Sequence, residues 1–331
     1  MAKKSTQGME LPGLELDPKE QFETAKEKYG IWPVTVWPHD PTAEVDARMP
    51  GAGALKKAIG DSGASRAMLN SETARYRRKG AKVESKNTTG ASLFSPAYAY
   101  WILNLYGPPE GSLVLDPFAG GGTRAIVAAA SGYDYYGLEI RPEEAERVNT
   151  VLQEFGYDSQ ARVVTGDATN FWAREMGKKA DFLITCPPYY DLEEYGGPTA
   201  IMSDGKSNFG DLSMASSYEQ FLTGMRAVIR ETKAALQPGA LSCWVVGLHR
   251  DQHERLLPLH HDIARLHVAE NFTLREEVIL YNKGGMALWR VGNFEKGNEN
   301  LIRTHEYLMV FRNWESDNDR FFRLKAKEVV T

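Results

Sequence analysis

Hydrophobic and polar positions change their rhythm near Ser92. Beyond it, short apolar runs alternate with stretches whose apolar residues recur at helical spacing, the pattern of βαβ units that build a mainly parallel sheet. Ser95-Pro96 opens a helix over Ala97 to Leu105, with proline in the first turn where its missing N–H costs nothing. Leu113 to Leu115 reads as a short buried strand, Thr123 to Ser131 as a helix closed by Gly132, and Tyr135 to Leu138 as a second strand. A helix over Pro142 to Glu154 follows, then strands at Arg162 to Thr165 and Asp181 to Ile184. Ser217 and Gln220 resemble a capping box for a helix running to Leu236, which Pro238-Gly239 break before a strand over Leu241 to Val246. Glu277 to Tyr281 and Glu306 to Phe311 close the series. The expected fold is α/β, a doubly wound, mainly parallel sheet of Rossmann-like form with an irregular N-terminal extension.

Before Ser92 the periodicity is weak. A charged stretch from Asp17 to Lys28 leads into Gly30-Ile31-Trp32-Pro33-Val34-Thr35-Val36-Trp37-Pro38, where the prolines argue against a helix or a central strand. The expected division is an accessory arm over residues 1–90, one domain over 91–312 and a tail over 313–331. No internal repeat occurs, and low complexity is confined to Gly196 to Ser213.

Composition narrows the class. Of 331 residues, 42% are apolar and 25% charged, which excludes disorder throughout. The 39 Lys+Arg against 44 Asp+Glu leave a net charge of -5, so bulk charge does not mark a nucleic-acid protein. No apolar segment follows the lysines near Met1, and no run approaches the roughly 20 apolar residues of a membrane helix, so no membrane association is expected. Cys186 and Cys243 cannot build a disulfide framework or a thiolate-rich zinc site, and a cytoplasmic, reducing location is expected.

The chemistry lies where strands end. Leu115-Asp116-Pro117-Phe118-Ala119-Gly120-Gly121-Gly122-Thr123 is a strand end, a glycine turn and a helix start, where backbone can approach a ligand and unpaired N–H groups face an anion. Glu139 ends the next strand, where a carboxylate can accept ribose hydroxyls, and Asp167 follows the third, beside an adenine edge. The glycines also satisfy G-x-G-x-x-A through Ala125, so a nicotinamide enzyme is an alternative at this point. The fourth strand ends in Thr185-Cys186-Pro187-Pro188-Tyr189-Tyr190. Two prolines cannot donate backbone hydrogen bonds, their carbonyls are left to accept, and a tyrosine offers a stacking face; an exocyclic amino group on a stacked base matches both features.

Together the two motifs resemble those of the S-adenosylmethionine-dependent amino-methyltransferases of DNA, which methylate adenine N6 or cytosine N4. Phe94-Ser95-Pro96 is similar to the family's cofactor-side segment, and Arg303 to Phe311 to its closing strand. The resemblance spans roughly residues 91–312 and implies a class I methyltransferase fold, S-adenosylmethionine as cofactor and double-stranded DNA as partner. Residue by residue it assigns Phe94, Ser95, Asp116, Phe118, Gly120, Gly122 and Thr123 to the cofactor, Glu139 to its ribose and Asp167 to its adenine. It assigns the catalytic segment to Cys186, Pro187, Pro188 and Tyr189, with the first residue and the Pro187 carbonyl accepting from the amino group and Tyr189 stacking on a flipped base. Cys186 departs from the family's usual Asp, Asn or Ser; serine is closest in shape, which leans towards cytosine N4. A thiol nucleophile of the C5-methylating kind has the wrong order here, since those enzymes resemble a Pro-Cys pair; a buried structural cysteine is the bland alternative. RNA methylation at a guanine N2 and a non-catalytic DNA-binding accessory protein also stay open.

The remaining features have plainer readings. His249, His253, His260, His261 and His267 lack an H-E-x-x-H frame or a cysteine partner, so exposed or capping histidines are expected rather than metal ligands. Gly196 to Ser213 reads as a loop closing on substrate. Basic residues cluster at Arg75 to Lys86 and Lys283 to Arg303, the expected patches for a DNA backbone on an otherwise acidic chain. With no large insertion for target recognition, that task falls to residues 1–90, the loops or a second subunit, so a homodimer is one option. Such an enzyme suits a bacterial restriction-modification system or a phage.

Overall fold

Strand β1 (Val36–His39) comes first in the computed structural model, which describes residues 35–39, 51, 94–170, 176–190, 210–251, 253, 255–282 and 304–314. Helix α1 (Pro96–Tyr106) follows, then β2 (Leu113–Asp116), α2 (Thr123–Ala130), β3 (Asp134–Glu139), α3 (Pro142–Glu154), β4 (Ala161–Thr165) and β5 (Ala180–Thr185). After them come α4 (Tyr218–Ala235), β6 (Leu236–Gly247), the two-residue strands β7 (His249–Arg250) and β8 (Leu256–Leu257), α5 (Leu259–Ala269), β9 (Phe272–Asn282) and β10 (His305–Asn313). Local sequence accounts for the helix starts. Ser95 caps α1 by accepting from the Tyr98 N–H, and Pro142 opens α3 ahead of Glu143 and Glu144, whose charges suit a helix N-terminus. Ser217 Oγ accepts from Gln220 N at 3.1 Å, while the Gln220 side chain returns to the N–H of Ser216 at 2.7 Å, one residue before the expected partner.

Eight strands form one sheet in the order β1-β9-β10-β6-β5-β2-β3-β4. All its neighbours run parallel except β10, which is antiparallel to both β6 and β9. From β2 the chain winds outwards to β3 and β4, then crosses to β5 and β6 on the other side, so the winding direction reverses between β2 and β5. In open α/β sheets ligands bind above the carboxyl ends of the strands at such a reversal.

Both faces of the sheet are covered. Val114, Phe182, Ile184, Cys243, Val245, Leu308 and Val310 face the layer of α1, α2 and α3, whereas Leu113, Leu115, Leu183, Trp244, Val246, Met309 and Phe311 face α4 and α5. This explains why the central strands read as continuous apolar runs: with helices on both sides, neither set of side chains meets water. This is the doubly wound, Rossmann-like architecture expected.

Three expectations need correction. First, residues 35–39 are not accessory to the core: β1 pairs in parallel with β9, and Trp37 is fully buried beside Trp101 and Tyr106. Pro38 is tolerated because β1 is an edge strand. At the other end, Asn313, expected in the tail, is buried and donates through Nδ2 to the Leu236 and Gln237 carbonyls. Secondly, Pro238-Gly239 end α4 but lie inside β6, where the register jumps from Leu236 opposite Ala180 to Leu241 opposite Phe182 and Gly239 has φ +78°. The break is an outward excursion of a continuing strand.

Thirdly, three of the five histidines are buried. His260 and His267 lie seven residues apart on α5, on the face that carries Leu259 and Ile263 into the core. His267 is fully enclosed, stacked on Phe311 at 3.8 Å and edge-on to Trp244 at 4.7 Å, with Nδ1 donating to the Ile263 carbonyl at 2.8 Å. Burial pushes its pKa down to about 3, so it serves as a neutral aromatic core residue. His249 is likewise buried on β7.

Candidate active site

Asp116 ends β2 with no exposed surface, and its carboxylate collects four hydrogen bonds. Oδ1 accepts from Phe118 N at 3.0 Å and from Thr185 Oγ1 at 2.6 Å; Oδ2 accepts from Arg124 Nε at 2.6 Å and from Tyr135 Oη at 2.7 Å. Those donors use the acceptor positions of a carboxylate. Arg124 also donates to the Phe118 carbonyl and lies over the Phe94 ring, 4.7 Å from its centroid. The fully buried ion pair favours the charged guanidinium over its desolvation cost, and burial beside Asp116 drives the Tyr135 phenol well above its ordinary range. The hub therefore ties together β2, the glycine turn, the first turn of α2, β3, the end of β5 and the segment before α1.

The turn rests on this hub. Gly122 caps α2 in the left-handed conformation with φ +82°, and a Cβ there would lie 2.7 Å from Val148 Cγ1, so both backbone and space require glycine. Gly120 is left-handed too, and a Cβ there would meet the Phe118 carbonyl oxygen at 3.8 Å without a clash. The first N–H groups of α2, which begins at Thr123 directly after this turn, have no intrahelical acceptor and no side-chain cap. The Phe118 ring sits edge-on to Trp244 at 6.4 Å.

At the ends of β3 and β4 stand two further carboxylates. Glu139 is 7% exposed; its Oε1 accepts from the backbone N and the side-chain Nε of Arg141 at 3.0 and 3.1 Å. Its Oε2 has no partner among the described residues. Burial raises the Glu139 pKa, and Arg141 opposes the rise. Asp167 Oδ1 accepts from the N–H and hydroxyl of Thr169 at 2.8 and 2.7 Å, and Gly166 N–H donates to the Glu139 carbonyl at 3.0 Å, which holds the two acidic segments side by side.

Directly after β5 come Cys186, Pro187, Pro188 and Tyr189. Pro187 is buried and the other three are half-buried. Tyr189 Oη donates to Glu306 Oε1 at 3.0 Å, accepts from Gly247 N–H at 3.0 Å and lies 3.8 Å from Cys186 Sγ. Tyr190 packs on Tyr218 and Phe221. Thr185, immediately before the motif, is the residue that bonds Asp116.

The structure thus gathers all the expected site residues around the carboxyl ends of β2, β3, β4 and β5. Reasoning on the sequence missed the residues that brace them: Arg124, Tyr135, Thr185, Arg141 and Glu306. The one signal available was polar residues at positions whose apolar neighbours mark burial. Arg75 to Lys86, Lys283 to Arg303, and Gly196 to residue 209 of the expected closing loop lie outside the described residues. No helix among the described residues is long and apolar enough to cross a membrane.

Over 95 residues the chain is 33% identical to a tRNA (guanine(10)-N2)-dimethyltransferase of Methanothermobacter thermautotrophicus, covering 29% of this chain and 27% of that one. It is 42% identical over 78 residues to a protein-L-isoaspartate O-methyltransferase of Gloeobacter violaceus, covering 24% of this chain and 37% of the relative. The chain therefore matches only 27% and 37% of the length of these curated relatives. Among solved structures, TrmN from Thermus thermophilus superposes with a TM-score of 0.45 at 16% identity, over 66% of this chain and 49% of that one. The profile of the DNA methylase family matches residues 3–150 and 180–328, which embraces both motifs and every strand of the sheet except β4. The chain belongs to the DNA methylase family.

Proposed function

We propose that this chain transfers the methyl group of S-adenosylmethionine to the exocyclic amino group of a DNA base, cytosine N4 or adenine N6, held out of the duplex. The observation that carries the reading is the 2.6 Å hydrogen bond from Thr185 to Asp116, which locks the Cys-Pro-Pro-Tyr segment to the glycine turn where the sheet reverses direction. A nicotinamide enzyme has no use for an amino-accepting Pro-Pro-Tyr segment bonded to its glycine turn.

The site fits the cofactor. The open turn at Gly120 and the first N–H groups of α2 suit a carboxylate, and Oε2 of Glu139, free of protein partners among the described residues, suits ribose hydroxyls. Asp167 stands beside them for the adenine edge. Asp116, with its acceptor positions taken, serves by holding the turn, and Phe94 joins the site through Arg124, with Ser95 next to it as the cap of α1. When bound, S-adenosylmethionine supplies an electrophilic methyl carbon on a sulfonium.

Cys186 and the Pro187 carbonyl accept the hydrogens of the target amino group, which concentrates the nitrogen lone pair and aims it for direct in-line attack, and solvent takes the departing proton. No covalent enzyme intermediate is needed. Taking a base from its stack costs a few kcal/mol. Stacking on an aromatic ring returns about 1–3 kcal/mol per base, which is the task of Tyr189.

A second reading has one specific support, the similarity to a relative named for methylating tRNA guanine N2. Labelled-methyl transfer to duplex DNA and to tRNA, followed by digestion to nucleosides and mass spectrometry, decides between them. N4-methylcytosine or N6-methyladenine from DNA, lost in Tyr189→Ala, supports the proposal; N2-methylguanine from tRNA alone refutes it.

A further inference from the structure

We infer that Glu306 fixes the direction of the Tyr189 hydroxyl and so makes the Cys186 thiol a hydrogen-bond acceptor towards the target amino group. This rests on the amino-methyltransferase reading above and addresses its weakest link, a thiol where an acceptor is required. A thiol carries one hydrogen and weak lone pairs, and nothing in its own chemistry decides which of the two it turns to a substrate.

The surroundings decide it. Glu306 Oε1 lies 3.0 Å from Tyr189 Oη, and an ionised carboxylate can only accept, so the single phenolic hydrogen is committed to Glu306. The same oxygen accepts from Gly247 N–H at 3.0 Å. In the 3.8 Å contact between Oη and Cys186 Sγ the phenol therefore has no hydrogen to offer, and the thiol must donate. With S–H turned to the phenol, the sulfur lone pairs face away from it. The arrangement has no slack at its centre, because a Cβ on Gly247 would stand 2.8 Å from Tyr189 Oη.

Glu306 is held near the start of β10 opposite Gly247 of β6 and Leu280 of β9. Among the described residues the ionisable groups on its side are Tyr189 and Cys186 of the catalytic segment and Tyr98 of α1, whose hydroxyl donates to the Tyr281 carbonyl at 3.2 Å. Its strand neighbour Tyr307 stacks on His260 of α5 and meets His305 through its hydroxyl. Burial raises the Glu306 pKa, and the bond from Tyr189 opposes the rise. The sign follows. Above the raised pKa the carboxylate enforces the polarity. As pH falls through it, the protonated carboxyl can itself donate, the phenolic hydrogen is released towards sulfur, and methyl transfer declines.

Two measurements on the full chain test this. Cys243 is buried, so iodoacetamide reports on Cys186. An anionic Glu306 and a hydrogen-bond-accepting phenol both disfavour the thiolate, whereas the Arg124 guanidinium, which also acts on Cys186, favours it; Glu306→Gln removes the Glu306 charge alone, and the alkylation midpoint is expected to fall by about half a pH unit or more. In a double-mutant cycle, Glu306→Leu, which leaves the phenolic hydrogen no acceptor there, is expected to lower kcat about tenfold beside Cys186 and to remove the acid limb of the pH profile. In a Cys186→Asn background, where the carboxamide brings its own acceptor, the same change should cost less than about twofold. An unmoved midpoint, or an equal penalty in both backgrounds, overturns the inference and leaves the methyltransferase reading intact. A wild-type chain that binds S-adenosylmethionine but methylates neither DNA nor tRNA overturns that reading, and the role given to the sulfur with it.

Discussion

Replacing Thr185 by valine removes one atom's chemistry and almost no volume, which makes it the sharpest probe of the junction between the two motifs. The hydroxyl is fully buried and donates to Asp116 at 2.6 Å, a distance typical of a charge-assisted O–H···O bond. Such bonds contribute about 1.5–3 kcal/mol net. Asp116 keeps Phe118 N, Arg124 and Tyr135, so its charge stays compensated and the larger cost of an orphaned buried carboxylate is avoided. About 2 kcal/mol of stability should be lost, read as a lower urea midpoint at unchanged slope. The kinetic effect should be selective. The cofactor turn remains braced by the three surviving donors, so S-adenosylmethionine affinity by calorimetry should change less than about threefold. Cys186 and Tyr189 lose their tie to that turn, and a small misplacement of a reacting group is costly, so kcat should fall roughly tenfold to a hundredfold. Thr185→Ser restores the donor and should recover most of both. Equal losses in affinity and kcat would show that the bond serves the cofactor turn alone, and a variant with full stability and rate would remove the junction from the mechanism.

Arg124→Met leaves Asp116 as a buried charge without its cation and should cost about 3–5 kcal/mol in urea denaturation; pairing it with Asp116→Asn should recover part of that, whereas two independent sites would add their losses. His267 gives a pH dependence of definite sign. The unfolded chain takes up its proton near pH 6.5 and the folded chain only near 3, so within that window the unfolded state binds more protons and stability falls on acidification, by at most about 1.4 kcal/mol per pH unit. His267→Phe should flatten the acid side of a plot of stability against pH, and an unchanged slope would mean that other groups set it. Asn313→Ala deprives three carbonyls of one donor and Lys233 of an acceptor, for an expected loss of about 2 kcal/mol; a chain ending at residue 312 should fold poorly, and native-like melting of that truncation would vindicate the boundary first expected. Trp37→Ala should cost about 3–5 kcal/mol, because it empties a closed space between Trp101 and Tyr106.

What the residue pattern reveals and what it hides divide along a physical line. Helices and strands that bury an apolar face write that face into consecutive or periodic positions, which is why α1 to α4 and β2 to β6 could be read almost to their ends. The single turn-and-excursion at Pro238-Gly239 could not, because the same two residues end a helix and bulge a strand. Edge strand β1 was hidden for the reverse reason: its pairing partner, β9, is more than two hundred residues away, and local chemistry around Pro38 speaks only against a central strand. α5 was missed because its core face is part histidine, and a neutral buried imidazole looks polar on paper while packing as an aromatic ring.

The same division runs through the site. Groups that meet a ligand sit in short motifs because strand ends and turns expose consecutive residues, so Gly120 to Thr123 and Cys186 to Tyr189 announce themselves. Groups that orient those residues are recruited across the sheet: Thr185 reaches Asp116 over 69 positions and Tyr189 reaches Glu306 over 117. No local pattern encodes such pairs, because the only requirement on each partner is to be one polar residue at the right register of its own strand. Yet these pairs decide what the motif residues can do. Asp116 is drawn inwards by four donors and acts through the turn it supports, and Cys186 acquires the orientation that its own chemistry lacks. A cysteine in place of a stronger acceptor is served here by a carboxylate on β10 that faces the phenol of Tyr189, and Cys186 and Glu306 have to be understood as one device.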